Sequence, residues 1–150
     1  MVDNLSPEMR SWNMSQIRCK DTKPEKILRS LLHNKGYRFR LHSKNLPGKP
    51  DIVLRKYKTV IFVHGCFWHR HVGCKFAYTP KTRVDFWSKK FERNIQRHNK
   101  VEQKLKDLGW KVFVIWECEI KDHDKIADRI KNIFSNNSYL QYRDLDCIQK

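Results

Sequence analysis

The sequence predicts an α/β protein in which a central mixed β-sheet is flanked by helices, and three observations predict this class. Two stretches with apolar residues at helical spacing, 27–32 and 87–108, are separated by three short strand-like segments, and a further strand and helix follow. The uninterrupted apolar run 59–63 is typical of a central strand covered on both faces. With 150 residues, the chain can bury the core of one domain without disulfide bonds.

The first elements are an arm and a helix. Residues 1–20 lack a clear apolar period, so we expect a polar arm or a short helix. A helix should follow, because Thr22 can cap it, Pro24 suits its first turn, and Glu25 lies three residues after the cap. Its apolar face consists of Ile27, Leu28, Leu31 and Leu32. Gly36 should end it.

The remaining elements give the order α-β-β-β-α-β-α. Strands are predicted at 37–41, 51–54, 59–63 and 110–116, because these segments alternate or are continuously apolar. Helices are predicted at 84–108, which Gly109 stops, and around 126–134. We therefore expect an arm at residues 1–20, one folded domain at 21–134 and a tail at 135–150.

The charge of the chain indicates a polyanionic partner. Its 32 lysine and arginine residues against 16 aspartate and glutamate residues give a formal net charge of +16 and a pI of about 9.9. Such a surface favours DNA or RNA, although basic residues can also serve only to solvate a surface. No apolar run approaches the roughly 20 residues that span a bilayer, and the N-terminus carries no apolar signal core. We expect a cytoplasmic protein whose five cysteines are reduced.

The segment 63–74 carries the strongest functional signal. It holds two cysteines, three histidines, two large aromatic residues and an arginine within twelve residues. Cys66, His71 and Cys74 have zinc-ligand spacing, and Cys118 is a plausible fourth ligand after the last strand. Four protein ligands would fill a tetrahedral shell, so this zinc would be structural. Spacing alone leaves His69 as an alternative to His71. The other cysteines, Cys19 and Cys147, have no spacing signal.

A second metal is predicted where two strands are joined. Asp51 opens one strand and Val63 ends the next, so a carboxylate and a backbone carbonyl can converge on Mg²⁺, which needs few protein ligands. His69 could then take a proton from the attacking water, and His64 could orient metal-bound water. Alternatively, Asp51 is a turn residue beside Pro50, and the histidines are packed in the core or bind zinc.

An aromatic set is expected to contact DNA. Phe67, Trp68 and Trp87 are large apolar side chains that could insert between base pairs, at a cost that falls at a mismatch. All three could instead belong to the core. The basic residues around them, as phosphate contacts or as a solvated face, are Arg70, Lys75, Lys81, Arg83, Lys89 and Lys90.

Together these residues resemble the very-short-patch-repair (Vsr) endonucleases over about residues 10–120. The matching strings are Asn13-Met14, 21–25, 46–51, 62–69 with its His-Gly-Cys-Phe-Trp-His core, Phe86-Trp87 and Trp116-Glu117-Cys118. The resemblance implies a restriction-endonuclease-like fold and a monomeric, bacterial, nucleoid-associated enzyme. It further implies that one strand of double-stranded DNA is nicked beside the thymine of a T:G mismatch left by 5-methylcytosine deamination, with mismatch-repair proteins as possible partners.

The resemblance also implies residue roles. Asp51 would bind Mg²⁺ together with the Val63 backbone carbonyl, and His69 would be the base. Glu25 and His64 would hold metal-bound waters, although Glu25 is also explained as part of a capping box. The implied zinc ligands are Cys66, His71, Cys74 and Cys118, which favours His71 over His69. The implied DNA contacts are the wedge of Phe67, Trp68 and Trp87, the phosphate contact Arg70, and the clamping arm with Asn13 and Met14.

The chain departs from the family pattern at three places. Val63 replaces a threonine, His98 replaces an acidic residue, and the loop between His71 and Cys74 is one residue longer. These departures concern the sequence preference and a supporting role at His98 more than the reaction. Two other functions stay open: a site-specific restriction endonuclease on the same fold, and a zinc-stabilised DNA-binding module without hydrolytic activity.

Overall fold

The structure, a computed structural model, describes residues 5–135. The helices are α1 (Pro7–Ser15), α2 (Lys23–Asn34), α3 (Val84–Asp107), α4 (Glu117–Ile120) and α5 (His123–Ser135). The strands are β1 (Arg40–Leu41), β2 (Ile52–Leu54), β3 (Thr59–His64) and β4 (Lys111–Trp116). No helix within 5–135 is both long and apolar enough to cross a membrane. The predicted tail, apart from Ser135, and Cys147 lie outside the described residues.

The strands form one mixed sheet in the order β1-β2-β3-β4. β1 and β2 are antiparallel, as are β2 and β3, whereas β3 and β4 are parallel. A 3₁₀ turn at Arg55–Tyr57 makes the short connection between β2 and β3. The parallel pair requires a crossover, which α3 provides between β3 and β4. The predicted class, a mixed sheet flanked by helices, is confirmed.

The sheet is covered on both faces, as the apolar run of β3 predicted. Alternation along β3 sends Ile61 to one face and Val60 and Phe62 to the other. The first face packs against the apolar sides of α2 and α5. The second packs against α3 through Leu105 and Val101. The C-terminal end of β3 therefore emerges between two layers of helices, where a cleft can form.

Local signals explain the ends of α2. The Thr22 hydroxyl accepts a hydrogen bond from the Glu25 N–H at 3.5 Å, and the Glu25 carboxylate accepts from the Asp21 N–H at 2.9 Å. This is a capping box shifted by one residue, because its second bond goes to the residue before the cap. Leu28 and Leu32 are fully buried, and Gly36 has a φ of +88° after the last turn. The predicted helix is confirmed at both ends.

Three elements differ from the sequence-based expectation. Only Arg40–Leu41 pairs in the predicted strand 37–41, because Tyr37 stacks on Phe134 at 4.1 Å and fills the core instead of extending the ladder. The one-turn helix α4 was not predicted. Its start is stabilised by Glu119, whose carboxylate accepts the Trp116 N–H at 2.8 Å. Two residues of the predicted apolar stripe are exposed: Ile95 on α3, and Leu108, which directly follows the last residue of α3.

The turn before β2 positions Asp51. Gly48 has a φ of +70°, a conformation that L side chains rarely adopt. A methyl group at Gly48 would also collide with the side chain of Val101 on α3. The turn therefore lies directly against α3, which fixes the start of β2 and the residue that precedes it.

Candidate active site and metal centre

A cleft of about 890 Å³, called here the first cleft, lies between the start of α2, the end of β3 and the middle of α3. Its lining includes all five residues predicted to act on the phosphodiester: Glu25, Asp51, Val63, His64 and His69. They come from α2, the turn before β2, β3 and the loop after β3. The structure thus brings together residues that are up to 44 positions apart in the sequence.

Asp51 lies directly before β2, beside the C-terminal end of β3. Its Oδ2 accepts the Val63 N–H at 2.8 Å, and its side chain is only 17% exposed. Burial raises the pKa of Asp51 to about 6; the hydrogen bond from Val63 opposes this shift, and nearby Glu25 adds to it. A half-desolvated carboxylate at an open cleft is a site that a hydrated Mg²⁺ would fit, since this ion needs only one or two carboxylates.

Glu25 is bound by three protein groups. Besides the Asp21 N–H, its carboxylate binds the Thr22 hydroxyl at 3.0 Å and Arg29 Nη2 at 2.8 Å. Arg29 also pairs with Asp21 at 2.7 Å. Glu25, Asp21 and His42 lie close enough together to resemble a metal site, but the Arg29 guanidinium supplies their positive charge. Glu25 therefore reaches the first cleft as part of an ion-pair network.

Three imidazoles form the wall of the first cleft. His64 and His69 stack with 3.7 Å between ring centroids, and His98 on α3 lies edge-on to His64 at 4.4 Å. Burial, reinforced by the neighbouring imidazoles, lowers the pKa of His64 to about 2 and that of His69 to about 4. Burial also lowers the pKa of His98. Within residues 5–135, His69 Nδ1 is buried without a hydrogen-bond partner. These rings are uncharged at neutral pH and can accept protons.

His98 and Asn94 are site residues that the sequence reasoning did not assign. His98 lies 3.5 Å from Glu102 Oε2, and the Asn94 side chain donates to the Trp68 carbonyl at 3.1 Å, which ties the loop after β3 to α3. A signal for His98 was present in the sequence. Phe91, His98 and Leu105 are spaced by seven, so His98 occupies an inward position of α3 between two buried residues.

The four predicted zinc ligands converge on one point. Candidate ligand atoms of Cys66, His71, Cys74 and Cys118 all lie within 4.8 Å of one another. His71 Nδ1 is 3.6 Å from Cys66 Sγ and 3.3 Å from Cys118 Sγ. Tetrahedral zinc with its usual bond lengths would hold sulfur and nitrogen about 3.5 Å apart, so the donor set fits this ion. His69, the alternative that spacing left open, is stacked on His64.

Neighbouring groups hold this cluster in place. The His71 ring lies flat on Trp116, with centroids 4.2 Å apart and planes 5° from parallel. The Cys66 N–H donates to Glu117 Oε1 at 3.0 Å. Burial raises the pKa of the Cys66 thiol, and that of Cys118 is raised as well. A bound cation would reverse this preference, because zinc binds thiolates.

The predicted DNA wedge is a half-buried aromatic cluster. Phe67 contacts Trp68 at 5.1 Å, Trp87 at 5.4 Å and the buried ring of Phe91 at 5.1 Å between centroids. Trp68 lies 5.9 Å from Trp87 and lines the first cleft. The three residues pack together on α3 and keep exposed edges. The core interpretation and the DNA-contact interpretation are therefore compatible for this cluster.

Two cations and the arm surround the aromatic cluster. Lys90 Nζ lies 5.1 Å from the centre of the Trp68 ring. The Arg70 guanidinium lies over Phe91 and donates to the Tyr78 carbonyl at 2.8 Å, so it also fastens the following loop. Asn13 and Met14 are exposed on α1, and Met14 lines the first cleft. The arm thus forms one border of the first cleft as a short helix.

Comparison with known proteins adds relatives that cover most of the chain. Residues 2–75 match the family described as DNA mismatch endonuclease Vsr. The type II nicking enzyme V.XorIIP of Xanthomonas oryzae pv. oryzae is 53% identical over 133 residues, which are 89% of this chain and 97% of that protein. V.NmeAIP of Neisseria meningitidis serogroup A is 44% identical, covering 89% and 94%. DNA mismatch endonuclease Vsr of Escherichia coli is 42% identical, covering 85% and 81%.

Proposed function

The chain belongs to the Vsr family of DNA mismatch endonucleases, and from this membership we propose that it nicks one strand of duplex DNA beside the thymine of a T:G mismatch. The observation that carries the proposal is that Asp51 and His69, from different elements, line one cleft. The names of two relatives as type II nicking enzymes support a single-strand cut. The substrate would be bacterial DNA in which 5-methylcytosine has deaminated.

The residues divide the chemical work. When bound at Asp51 and the Val63 carbonyl, Mg²⁺ would stabilise the charge that develops on the phosphate. Uncharged His69 would take the proton of the attacking water, and the anionic phosphate beside it would raise the pKa of His69 towards neutrality. His64 stacks on this ring and would keep its plane fixed. Glu25 and its ion-pair network would orient water at the opposite wall.

The aromatic cluster gives a reason for mismatch selectivity. Insertion of Trp68, supported from behind by Phe67 and Trp87, would cost less where a base pair is already weakened. Lys90 would accompany the inserted ring and contact a phosphate. Met14 and Asn13 on α1 would hold the duplex from the other border of the first cleft.

We also propose the architecture that this function requires. The four-stranded sheet would be the core of a restriction-endonuclease-like fold, and the Cys66, His71, Cys74 and Cys118 cluster would hold one structural zinc. Zinc at this point would join the loop after β3 to α4, and so would place His69 and the aromatic cluster relative to the sheet. The enzyme would act as a monomer, with mismatch-repair proteins as possible partners on the bacterial nucleoid.

The test uses a T:G duplex and its paired control, with each strand labelled separately. Wild-type protein should nick only the thymine strand of the mismatched duplex, and only with Mg²⁺. Asp51→Ala should abolish the nick, whereas Asp128→Ala, on the exposed side of α5, should retain it. Cleavage of both strands of paired DNA would instead identify a restriction endonuclease. Binding without any cut would identify a non-catalytic DNA-binding module.

A further inference from the structure

An exposed aromatic ring, that of Tyr78, lies directly beside the aromatic cluster. Tyr78 belongs to the loop between β3 and α3 and is 64% exposed. Its ring contacts Phe67, with 4.9 Å between the centroids and 38° between the planes. Sequence reasoning gave it no role, because one tyrosine in a polar loop carries no periodic signal. The remaining exposed surface of this ring can stack on another flat group.

Hydrogen bonds hold the backbone on both sides of Tyr78. Before it, the Ala77 N–H donates to the Cys74 carbonyl at 3.0 Å. The Tyr78 carbonyl accepts from Arg70 Nη1 at 2.8 Å, and Arg70 Nη2 donates to the Thr79 hydroxyl at 3.0 Å. The loop is therefore held in place by the protein itself, which reduces the conformational entropy that binding a ligand would cost.

The Arg70 guanidinium is engaged within the protein. Each terminal nitrogen donates one hydrogen bond to the loop, and the guanidinium lies 4.5 Å from the centre of the Phe91 ring. The backbone of Arg70 has a φ of +55°, a conformation that persists only where the surroundings hold the residue. A DNA phosphate would compete with the loop for the same donors. The contacts therefore favour a role for Arg70 in fixing the loop over a role in binding phosphate.

We propose that Tyr78 is a further aromatic DNA contact, which stacks on a nucleobase that insertion of the aromatic cluster unstacks, and that Arg70 is its positioning residue. This inference rests on the proposed function, because it requires the cluster to enter a mismatched duplex. Every base has a π-face, so the ring needs no hydrogen-bonded readout. The same loop carries the exposed cations Lys75, Lys81 and Arg83, which suit the phosphates that adjoin such a base.

A photocrosslink tests the contact directly. A T:G duplex carries 5-iodouracil at each position flanking the mismatch in turn, and is irradiated with the wild-type chain in buffer that contains neither magnesium nor chelators. Mass spectrometry of the digested protein should find an adduct on Tyr78 at one or more of these positions. The absence of a Tyr78 adduct at every position would overturn the inference.

Substitutions then measure what the ring contributes. Tyr78→Leu should weaken binding of the T:G duplex by roughly 10-fold in fluorescence anisotropy, whereas Tyr78→Phe should keep the wild-type affinity because it keeps the ring. Phe76→Leu is the matched control, because this ring lies in the same loop but is covered by Lys121 Nζ, 4.3 Å from its centre. Equal losses for Tyr78→Leu and either Tyr78→Phe or Phe76→Leu would contradict stacking by Tyr78.

Arg70→Met separates positioning from phosphate binding. It removes both hydrogen bonds and should weaken T:G binding as much as Tyr78→Leu, with no further loss when the two changes are combined. The salt dependence of binding should stay as in wild type, and a slope of log K against log salt that is shallower by about one would instead identify a phosphate contact. Thr79→Val removes only the second bond and should give a smaller loss in the same direction.

The outcomes distinguish this inference from the proposed function. Wild-type affinity in Tyr78→Leu, with mismatch nicking intact, would overturn the inference alone. A wild-type protein that binds T:G and paired duplexes equally and nicks neither would overturn both. Zinc content and thermal unfolding of each variant show whether the chain is folded.

Discussion

The imidazole rings of His64 and His69 are stacked, with 3.7 Å between their centroids and 12° between their planes. Two imidazolium rings could not stack this closely without repulsion, and burial keeps the pKa of both rings well below neutrality. His69 therefore presents an uncharged ring to the first cleft, in an orientation that the last residue of β3 fixes. This relationship makes His69 suitable as a base and His64 suitable as its support.

The first prediction tests His69 as the base. His69→Gln should slow single-turnover nicking of a T:G duplex by about 100- to 10,000-fold, because the glutamine amide cannot accept the proton. Affinity for the duplex, followed by fluorescence anisotropy, should change little. His33→Gln is the control at an exposed histidine. A His69→Gln enzyme that nicks at the wild-type rate would remove His69 from the chemistry.

The second prediction concerns the free energy of unfolding in magnesium-free buffer. Burial raises the folded-state pKa of Asp51 from 3.8 to about 6, because it favours the protonated carboxyl group over the charged carboxylate. The contribution of Asp51 to the free energy of unfolding is therefore fully present below pH 4 and is lost as the pH rises through 6. Asp51→Asn should therefore be about 3 kcal/mol more stable than wild type at pH 8, and the gain should vanish near pH 4.

Denaturant unfolding at the two pH values measures this difference. Asp128→Asn, at an exposed position of α5, should show no comparable gain. Added Mg²⁺ should reduce the gap between wild type and Asp51→Asn, because the ion binds only the charged carboxylate. Equal stability of the two proteins at pH 8 without Mg²⁺ would contradict the burial of this charge.

The third prediction concerns zinc. Protein purified without chelators should contain about one zinc per chain, measured by mass spectrometry of the metal. Cys118→Ser should lose the metal and about 4 kcal/mol of stability, since loss of a structural metal is among the largest single-residue effects. Cys19→Ser, at an exposed thiol, should change neither quantity. A fully folded wild-type protein without zinc would refute the site.

The fourth prediction concerns the aromatic wedge. Trp68→Leu should reduce the preference for a T:G duplex over the paired duplex by roughly 10-fold, because it removes a stacking surface worth 1–3 kcal/mol. Affinity for paired DNA should be nearly unchanged, since phosphate contacts dominate it. The ratio of the two dissociation constants is the measurement. Equal losses for both duplexes would place Trp68 in general binding rather than in mismatch recognition.

The fifth prediction separates backbone strain from a collision at Gly48. Gly36→Ala and Gly48→Ala both place an alanine at positive φ, at a cost of about 1 kcal/mol each. Only Gly48→Ala also pushes a methyl group into Val101, which should add about 1–3 kcal/mol. Thermal unfolding of both variants gives the difference. Similar melting temperatures would show that the Val101 side chain moves aside at little energetic cost.

Both ends of α2 and the start of β3 could be predicted from the sequence, and the end of β3 to within one residue, because capping residues and continuous apolar runs act over a few positions. The length of β1 could not, since Tyr37 gains more by stacking on Phe134 at the far end of the chain than by pairing. Helix α4 is a single turn, too short for a periodic signal, although Glu119 caps it.

The sequence by itself determined which residue types lie near one another in the segment 63–74, and therefore the kinds of chemistry available. Only the tertiary structure decided which of these residues belong to the zinc-ligand cluster and which to the first cleft. β4 and α4 bring Trp116 and Cys118 against His71, while α3 brings His98 against His64.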